Sequence, residues 1–393
     1  MIAKIDENVY FIGMMHWDRR LFDDLIPLPD GTSYNSYLVK GSEKIALIDT
    51  ADPEKIDELM EKLDEMGVES IDYIIANHAE QDHSGGIPML LEKYPMAKVV
   101  TNEKCKGFLK DLLLVPDEKF VVVDDNDEIP LGGKTLQFIM APWVHWPETM
   151  LTYLKEDKIL FTCDFFGSHL ATSRIYADEN DVYKAAKRYY AEIMMPFRNK
   201  IRHHLERLES MEIKMIAPSH GPIYREPKFI MDAYRDWVSD DGKNEVIIAY
   251  VSMHGSVKKM VEHLADALIE KGIKAIPFNL TVTDIGELAM AMVDAATIII
   301  ATPTVLAGMH PSAVYAAYLA NALRPKTKFA SLLISYGWGG RAVEQAKSLL
   351  GNLKVELIEP VVIKGYPKSE DFKALDELAE KIKEKHVEAG LMK

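Results

Sequence analysis

The stretch Ile71-Asp-Tyr-Ile-Ile-Ala-Asn-His78-Ala-Glu80-Gln-Asp82-His83-Ser-Gly-Gly86 runs from apolar residues straight into four potential metal ligands within six positions. Its β-branched and aromatic opening predicts a strand, and Ser84-Gly85-Gly86 predicts a tight turn into a helix. Open α/β sheets hold their ligands beyond the carboxyl ends of the strands, so this pattern places a site at a strand end. Three other segments have the same form: Leu136–Met140 leads to His145, Ile159–Thr162 to Asp164, and Ile213–Ala217 to His220.

If these strand ends share one edge, His78, Glu80, Asp82, His83, His145, Asp164 and His220 meet. That is too many nitrogen and oxygen donors for one tetrahedral ion, and two metals are implied. Asp164 is the natural bridge, because each of its oxygens can serve one ion, and paired ions stand about 3.5–4 Å apart. Imidazole and carboxylate without thiolate suit iron, manganese or zinc. Taken singly, any of these residues reads as a hydrogen-bonded core histidine or a surface acid; it is the cluster that argues for metal. His16, His169, His203, His204, His263 and His386 lack this context. Strand alternation sends Cys163 to the face opposite Asp164, as a core residue.

The 393 residues allow two or three domains. With 48% hydrophobic and 27% charged residues the composition is that of a globular protein. A net charge of −15 speaks against nucleic-acid and anionic-membrane partners. Cys105 and Cys163 are too few for a disulfide framework, an iron–sulfur cluster or a four-cysteine electron-transfer site. The first residues read as neither a secretory signal nor a transit peptide. No apolar run approaches the roughly 20 residues of a membrane helix, so a soluble, cytoplasmic protein is expected.

Before the polar link Ser239-Asp-Asp-Gly-Lys243, paired strands such as Ser36–Val39 with Lys44–Ile48 and Thr149–Leu154 with Lys158–Phe161 alternate with helices such as Pro53–Met66, predicting a mixed α/β domain over 1–243. Tyr37–Asp49 and Tyr153–Asp164 echo one another as hairpins ending in Asp, which suggests two halves. From 244 to 393, Val246–Val251, Ala295–Ala301 and Phe329–Ile334 each end in a loop of small residues and alternate with helical stretches, predicting a doubly wound parallel sheet.

The pattern His78-x-Glu80-x-Asp82-His83, His145, Asp164, His220 resembles the metallo-β-lactamase fold, an αββα sandwich. Hydrolases of that fold usually have His where this chain has Glu80. A carboxylate is a harder, more electron-donating ligand that suits redox iron, and this substitution is the mark of the flavodiiron proteins.

The second half agrees. Ser252-Met253-His254-Gly255-Ser256-Val257 resembles the flavodoxin phosphate loop, where hydroxyls and amides at a helix N-terminus hold the phosphate of FMN. The family usually has Thr at the last position, and Val257 brings only its amide. Thr302-Pro303-Thr304-Val305-Leu306-Ala307 and Ser335-Tyr336-Gly337-Trp338-Gly339-Gly340 match the loops flanking the isoalloxazine ring, where Tyr336 or Trp338 can pack.

The resemblance covers essentially the whole chain, including His145-Trp-Pro-Glu148 and Tyr189-Tyr-Ala-Glu192. It implies an oxygen or nitric oxide reductase with FMN and two irons, electrons from rubredoxin or a similar separate donor, and head-to-tail assembly of subunits. It also implies the division of ligands: His78, Glu80 and His145 for one iron, Asp82, His83 and His220 for the other, Asp164 between them. Tyr190 is either a proton donor to the site or a packed helix residue, and residues around His16–Asp24 bear on the choice of gas. Two other readings remain: a zinc hydrolase of the metallo-β-lactamase type with an appended flavodoxin-like domain, and a flavin-binding module whose metal is structural.

Overall fold

The computed structural model describes residues 1–392. The chain divides into two compact units, Met1–Arg235 and Asp236–Lys393, so the division falls inside helix Pro227–Val238 and slightly ahead of the polar link.

Besides a two-stranded pair, Leu21–Phe22 with Ile26–Pro27, the first unit holds two large sheets whose strands follow one another in chain order. The larger runs Ile2–Asp6, Val9–His16, Thr32–Lys40, Ile45–Ile48, Tyr73–Ile75, Lys98–Thr101 and Phe120–Val122. The first four pair antiparallel and the rest parallel. The smaller runs Glu128–Pro130, Thr135–Met140, Met150–Leu154, Ile159–Cys163 and Met215–Pro218. One core lies between them, with Phe11, Tyr37, Ile48 and Ile75 from one sheet against Phe138, Met150, Leu154 and Phe161 from the other. A second core packs the outer face of the larger sheet on helices Ile56–Glu65, Ile87–Lys93 and Glu103–Leu113.

Met150–Leu154 and Ile159–Cys163 are buried along their whole length, as strands covered on both faces must be. Helix Arg198–Glu209 meets the smaller sheet at the end of strand Thr135–Met140, Arg207 Nη1 facing Met140 O (3.5 Å) and His204 Nε2 lying 3.1 Å from Pro142 O just beyond that strand. The layers are therefore helix, sheet, sheet, helix.

The second unit is a parallel sheet in the order Lys274–Asn279, Lys243–Tyr250, Ala295–Val305, Phe329–Tyr336, with Glu356–Leu357 and Val361–Lys364 pairing along the outer side of Phe329–Tyr336. Apolar faces of helices Ser256–Glu270 and Ser369–Glu388 close one side of it. One detail corrects the sequence reading. Thr302-Pro303-Thr304 is not a loop: Thr302 and Pro303 stay in register with Ile334 and Ser335, and the strand folds back at Val305 to pair with Gly308–Met309. No helix of the described residues is long and apolar enough to cross a membrane.

Candidate metal centre and flavin cleft

Strand Tyr73–Ile75 ends three residues before His78, which is fully buried. Glu80 caps the four-residue helix Gln81–Ser84, whose first turn presents Asp82 and His83 on the same side. His145 arrives in the turn after Thr135–Met140, Asp164 directly after Ile159–Cys163, and His220 just after Met215–Pro218. All seven predicted residues converge, and they fall into two groups.

In one group Glu80 Oε2 lies 3.1 Å from His78 Nε2 and 3.1 Å from His145 Nε2. In the other, Asp82 Oδ2 lies 3.0 Å from His220 Nε2 and 3.3 Å from His83 Nε2. Asp164 spans both: Oδ2 faces His78 and His145 at 3.5 and 3.4 Å, while Oδ1 faces His83 and His220 at 2.9 and 3.5 Å.

Electrostatics make this cluster unusual. Burial pushes the Glu80 carboxyl up, but hydrogen bonds and charges from His145 and His78 outweigh it and hold the group below the usual carboxylate range. Burial acts against Asp164 too, and His83, His145 and His220 overcome it in the same direction. The imidazoles mirror this. Burial lowers them, and the acids lift His145 to about 9 and His220 to about 10.

Four buried atoms, His83 Nε2, both Asp82 oxygens and Asp164 Oδ2, lack a hydrogen bond of good geometry, although all but Asp82 Oδ1 lie close to the opposite charge. Buried polar atoms are ordinarily paired, and a cation in each group would satisfy all four. The donor set therefore fits two metal ions. Because imidazole ligates only when neutral, loading must release protons.

In the second unit a cleft of about 530 Å³ opens at the strand ends. Ser252, Met253, His254, Ser256 and Val257 line it from the first loop and the helix it opens, Pro303 and Thr304 from the end of strand Ala295–Val305, and Ser335, Tyr336 and Gly337 from the end of strand Phe329–Tyr336 and the start of the third loop. Gly255, at φ +87°, turns the chain into the helix beginning at Ser256, so the first amides of that helix open beside the cleft. Lys258 N donates to Ser252 Oγ (3.1 Å). Loop hydroxyls and helix amides at an open cleft fit the phosphate of a flavin nucleotide.

Other predicted residues stand apart from the lining. Thr302 is buried, its hydroxyl accepting from His310 N. Val305, Leu306 and Ala307 form the hairpin tip, tied to the third loop by Arg341 N donating to Ala307 O (2.7 Å). Leu306 and Trp338 are 94% and 82% exposed. Gly339 and Gly340 have φ of +122° and +157°, and a Cβ on Gly340 would come within 3.0 Å of Thr304 Cγ2.

A sequence family described as "ODP family beta lactamase" matches residues 32–221. The nitric oxide reductase of Moorella thermoacetica is 35% identical over 392 residues, covering 97% of this chain and 98% of that protein. Among solved structures, rubredoxin oxygen:oxidoreductase from Desulfovibrio gigas superposes with a TM-score of 0.94 at 26% identity, and the flavodiiron protein of Giardia intestinalis with 0.88 at 29%, each covering 98% of both chains. The chain belongs to the flavodiiron family. It is an oxidoreductase with a metallo-β-lactamase-like N-terminal domain and a parallel-sheet C-terminal domain.

In this flavodiiron protein a second layer of residues holds the cluster. Glu148 Oε1 accepts from His78 Nδ1 (2.6 Å) and Ala79 N (3.1 Å), fixing the ring so that Nε2 faces Glu80. Ser33 O does the same for His220 Nδ1 at 2.7 Å. Tyr189, not Tyr190, donates to Asp164 Oδ1 (2.6 Å). Tyr190 is buried with its ring against Tyr234, as a packed helix residue. At the mouth, Asp23 is pushed up to about 6 by burial and by Glu80 and Asp82.

Cys163 departs from its expected placement. Its φ of +51° breaks strand alternation, and its sulfur lies within 4.8 Å of donor atoms of His83 and Asp164. Burial and three nearby acids push the thiol well up, away from the thiolate that ligation needs. Gly365, which lines the flavin cleft, carried no local signal at all.

Proposed function

We propose that this chain reduces dioxygen to water, nitric oxide to nitrous oxide, or both, using two irons and FMN, with electrons from a separate donor such as rubredoxin. The observation that carries this reading is the sorting of seven donors into two groups around Asp164, with a carboxylate at position 80 where hydrolases of the fold place His.

His78, Glu80 and His145 would hold one iron and Asp82, His83 and His220 the other, with Asp164 placed to serve both groups. When bound, the iron pair and FMN would supply the gas-binding and electron-donating chemistry. The chain's own part is orientation and proton handling. Glu148 and Ser33 O fix two imidazoles through Nδ1. Tyr189 Oη, its own proton retained, donates a hydrogen bond to Asp164 Oδ1, tempering the charge of that carboxylate without neutralising it. In the second unit, Ser252, Met253, His254, Gly255, Ser256 and Val257 would take the phosphate, while the segments Thr302 to Ala307 and Ser335 to Gly340 would flank the ring. A head-to-tail homodimer, in which the flavin of one subunit serves the irons of its partner, is supported by the exposed Leu306 and Trp338 beside the flavin cleft, an apolar rim that gains by being covered. A cytoplasmic place of action suits two buried free thiols.

Metal and flavin analysis of purified protein, followed by gas consumption with a reduced donor, tests the reading. About two irons and one FMN per chain with turnover of either gas is the expected result. Zinc without flavin, together with hydrolase activity, overturns it.

A further inference from the structure

Beside the metal cluster one buried polar atom is left over after the ligands are counted: Nε2 of His169. The residue is 7% exposed, and Nε2 has no hydrogen-bond partner. Its ring packs on His220, Tyr189 and Phe22 at centroid distances of 4.9, 4.8 and 5.0 Å. Among the described residues, no grouping of metal donors includes it.

Its tether shows which way it faces. His169 Nδ1 lies 2.9 Å from Thr32 Oγ1, and His220 Nδ1 lies 2.7 Å from Ser33 O. Two imidazoles fixed through Nδ1 to consecutive residues of one strand, with rings 4.9 Å apart, both turn Nε2 away from that strand. For His220 that side faces Asp82 and Asp164.

The tether also sets the tautomer. The Thr32 hydroxyl has one proton to give; Ser33 O stands 3.5 Å from it, at the edge of hydrogen bonding, whereas His169 Nδ1 is within normal range. With Nδ1 accepting, the ring proton resides on Nε2. A buried N–H aimed beside a metal pair, with no partner of its own, is a donor waiting for a ligand.

We propose that His169 Nε2–H donates a hydrogen bond to the diatomic gas bound at the metal centre, with Thr32 as the residue that positions it. The inference rests on the diiron reading above, and its test separates the two. Iron-loaded, reduced protein is exposed to nitric oxide and the N–O stretching frequency is read by infrared difference spectroscopy, beside iron content per chain. Wild-type protein that takes up no iron ends the diiron reading itself. With iron bound, His169→Leu shifts the stretch to higher frequency, because the polarising donor is gone. Thr32→Val shifts it the same way by less, and His169→Gln, which retains an N–H, restores part of the difference. The KM for the gas rises about tenfold in His169→Leu, the factor one buried hydrogen bond contributes. Full iron with an unmoved stretch in His169→Leu overturns the proposal and leaves the diiron reading standing. Loss of iron from that variant also overturns it, by showing a role in holding metal. Should His169→Leu not fold, Thr32→Val decides: an unmoved stretch overturns the proposal.

Discussion

The two sites of this chain are built from different materials. The metal centre consists of ionisable side chains, most of them buried, seven of them within contact distance and three of them, His78, His220 and Asp164, fixed from outside by Glu148, Ser33 O and Tyr189. The flavin cleft consists of loop hydroxyls, helix amides and glycines at strand ends, open to solvent and nearly uncharged. A site made of side chains concentrates its chemistry in replaceable atoms. A site made of backbone distributes it over conformations, and single substitutions there act more gently.

The sharpest way to break this contrast is Glu80→Ala. Removing the carboxylate that touches both His78 and His145 should abolish iron at that position and lower gas reduction by more than about a hundredfold, since metal-ion stabilisation is worth several kcal/mol. FMN content should stay unchanged. Iron analysis, flavin absorbance and gas uptake on one preparation check it, and full activity with one iron missing would contradict the ligand assignment.

Next in size is Glu148→Gln. The amide can still meet His78 Nδ1 but no longer as a charged acceptor, and loss of such a partner costs about 10–100-fold in metal affinity. Competition with a chelator measures it.

On the flavin side the expected effects are smaller. Val257→Thr supplies the hydroxyl missing from the phosphate loop. One added hydrogen bond, about 0.5–1.5 kcal/mol net, should tighten FMN by up to about tenfold in a fluorescence titration. Val257 is 1% exposed and packs with Met260 and Leu264, so an unchanged or weaker affinity would show the hydroxyl facing the core instead.

The smallest effect concerns pH. Burial holds the His386 imidazole down to about 4, while its ordinary value is 6.5. Between these values the unfolded chain binds the proton and the folded chain does not, so stability present above pH 6.5 is lost progressively as pH falls toward 4. The thermal midpoint of the second unit should fall over that window, and His386→Gln should flatten the slope.

The same contrast explains what could be read from the sequence. The convergence of the seven donors is legible because each follows an apolar strand, and a His or Asp just past a strand end is visible in one dimension. His169 carries a weaker form of that signal, five residues beyond Asp164, with no second donor beside it in the sequence to mark it. Tyr189 and Tyr190 could not be separated: adjacent helix positions point about 100° apart, and only the packed helix shows which one meets Asp164. Cys163 was misplaced because alternation assumes a regular strand, and a positive φ is invisible in the letters. The flavin loops were legible as positions but not as shapes. Thr302 to Ala307 turned out to be a strand end and hairpin tip, and Gly365 joined the cleft through a parallel pairing between Phe329–Tyr336 and Val361–Lys364 that no local pattern announces.

One feature of the metal centre sets its tolerances. Four of the seven donors, His78, Glu80, Asp82 and His83, come from six consecutive residues, with Glu80 serving one group and its near neighbours Asp82 and His83 the other. That short segment is a covalent ruler between the two ions. Small movements between the sheets displace His145 and His220, which arrive from elsewhere, but cannot stretch the ruler. The spacing of the two donor groups is therefore written into bond lengths and one helical turn, and the more compliant donors adjust around it.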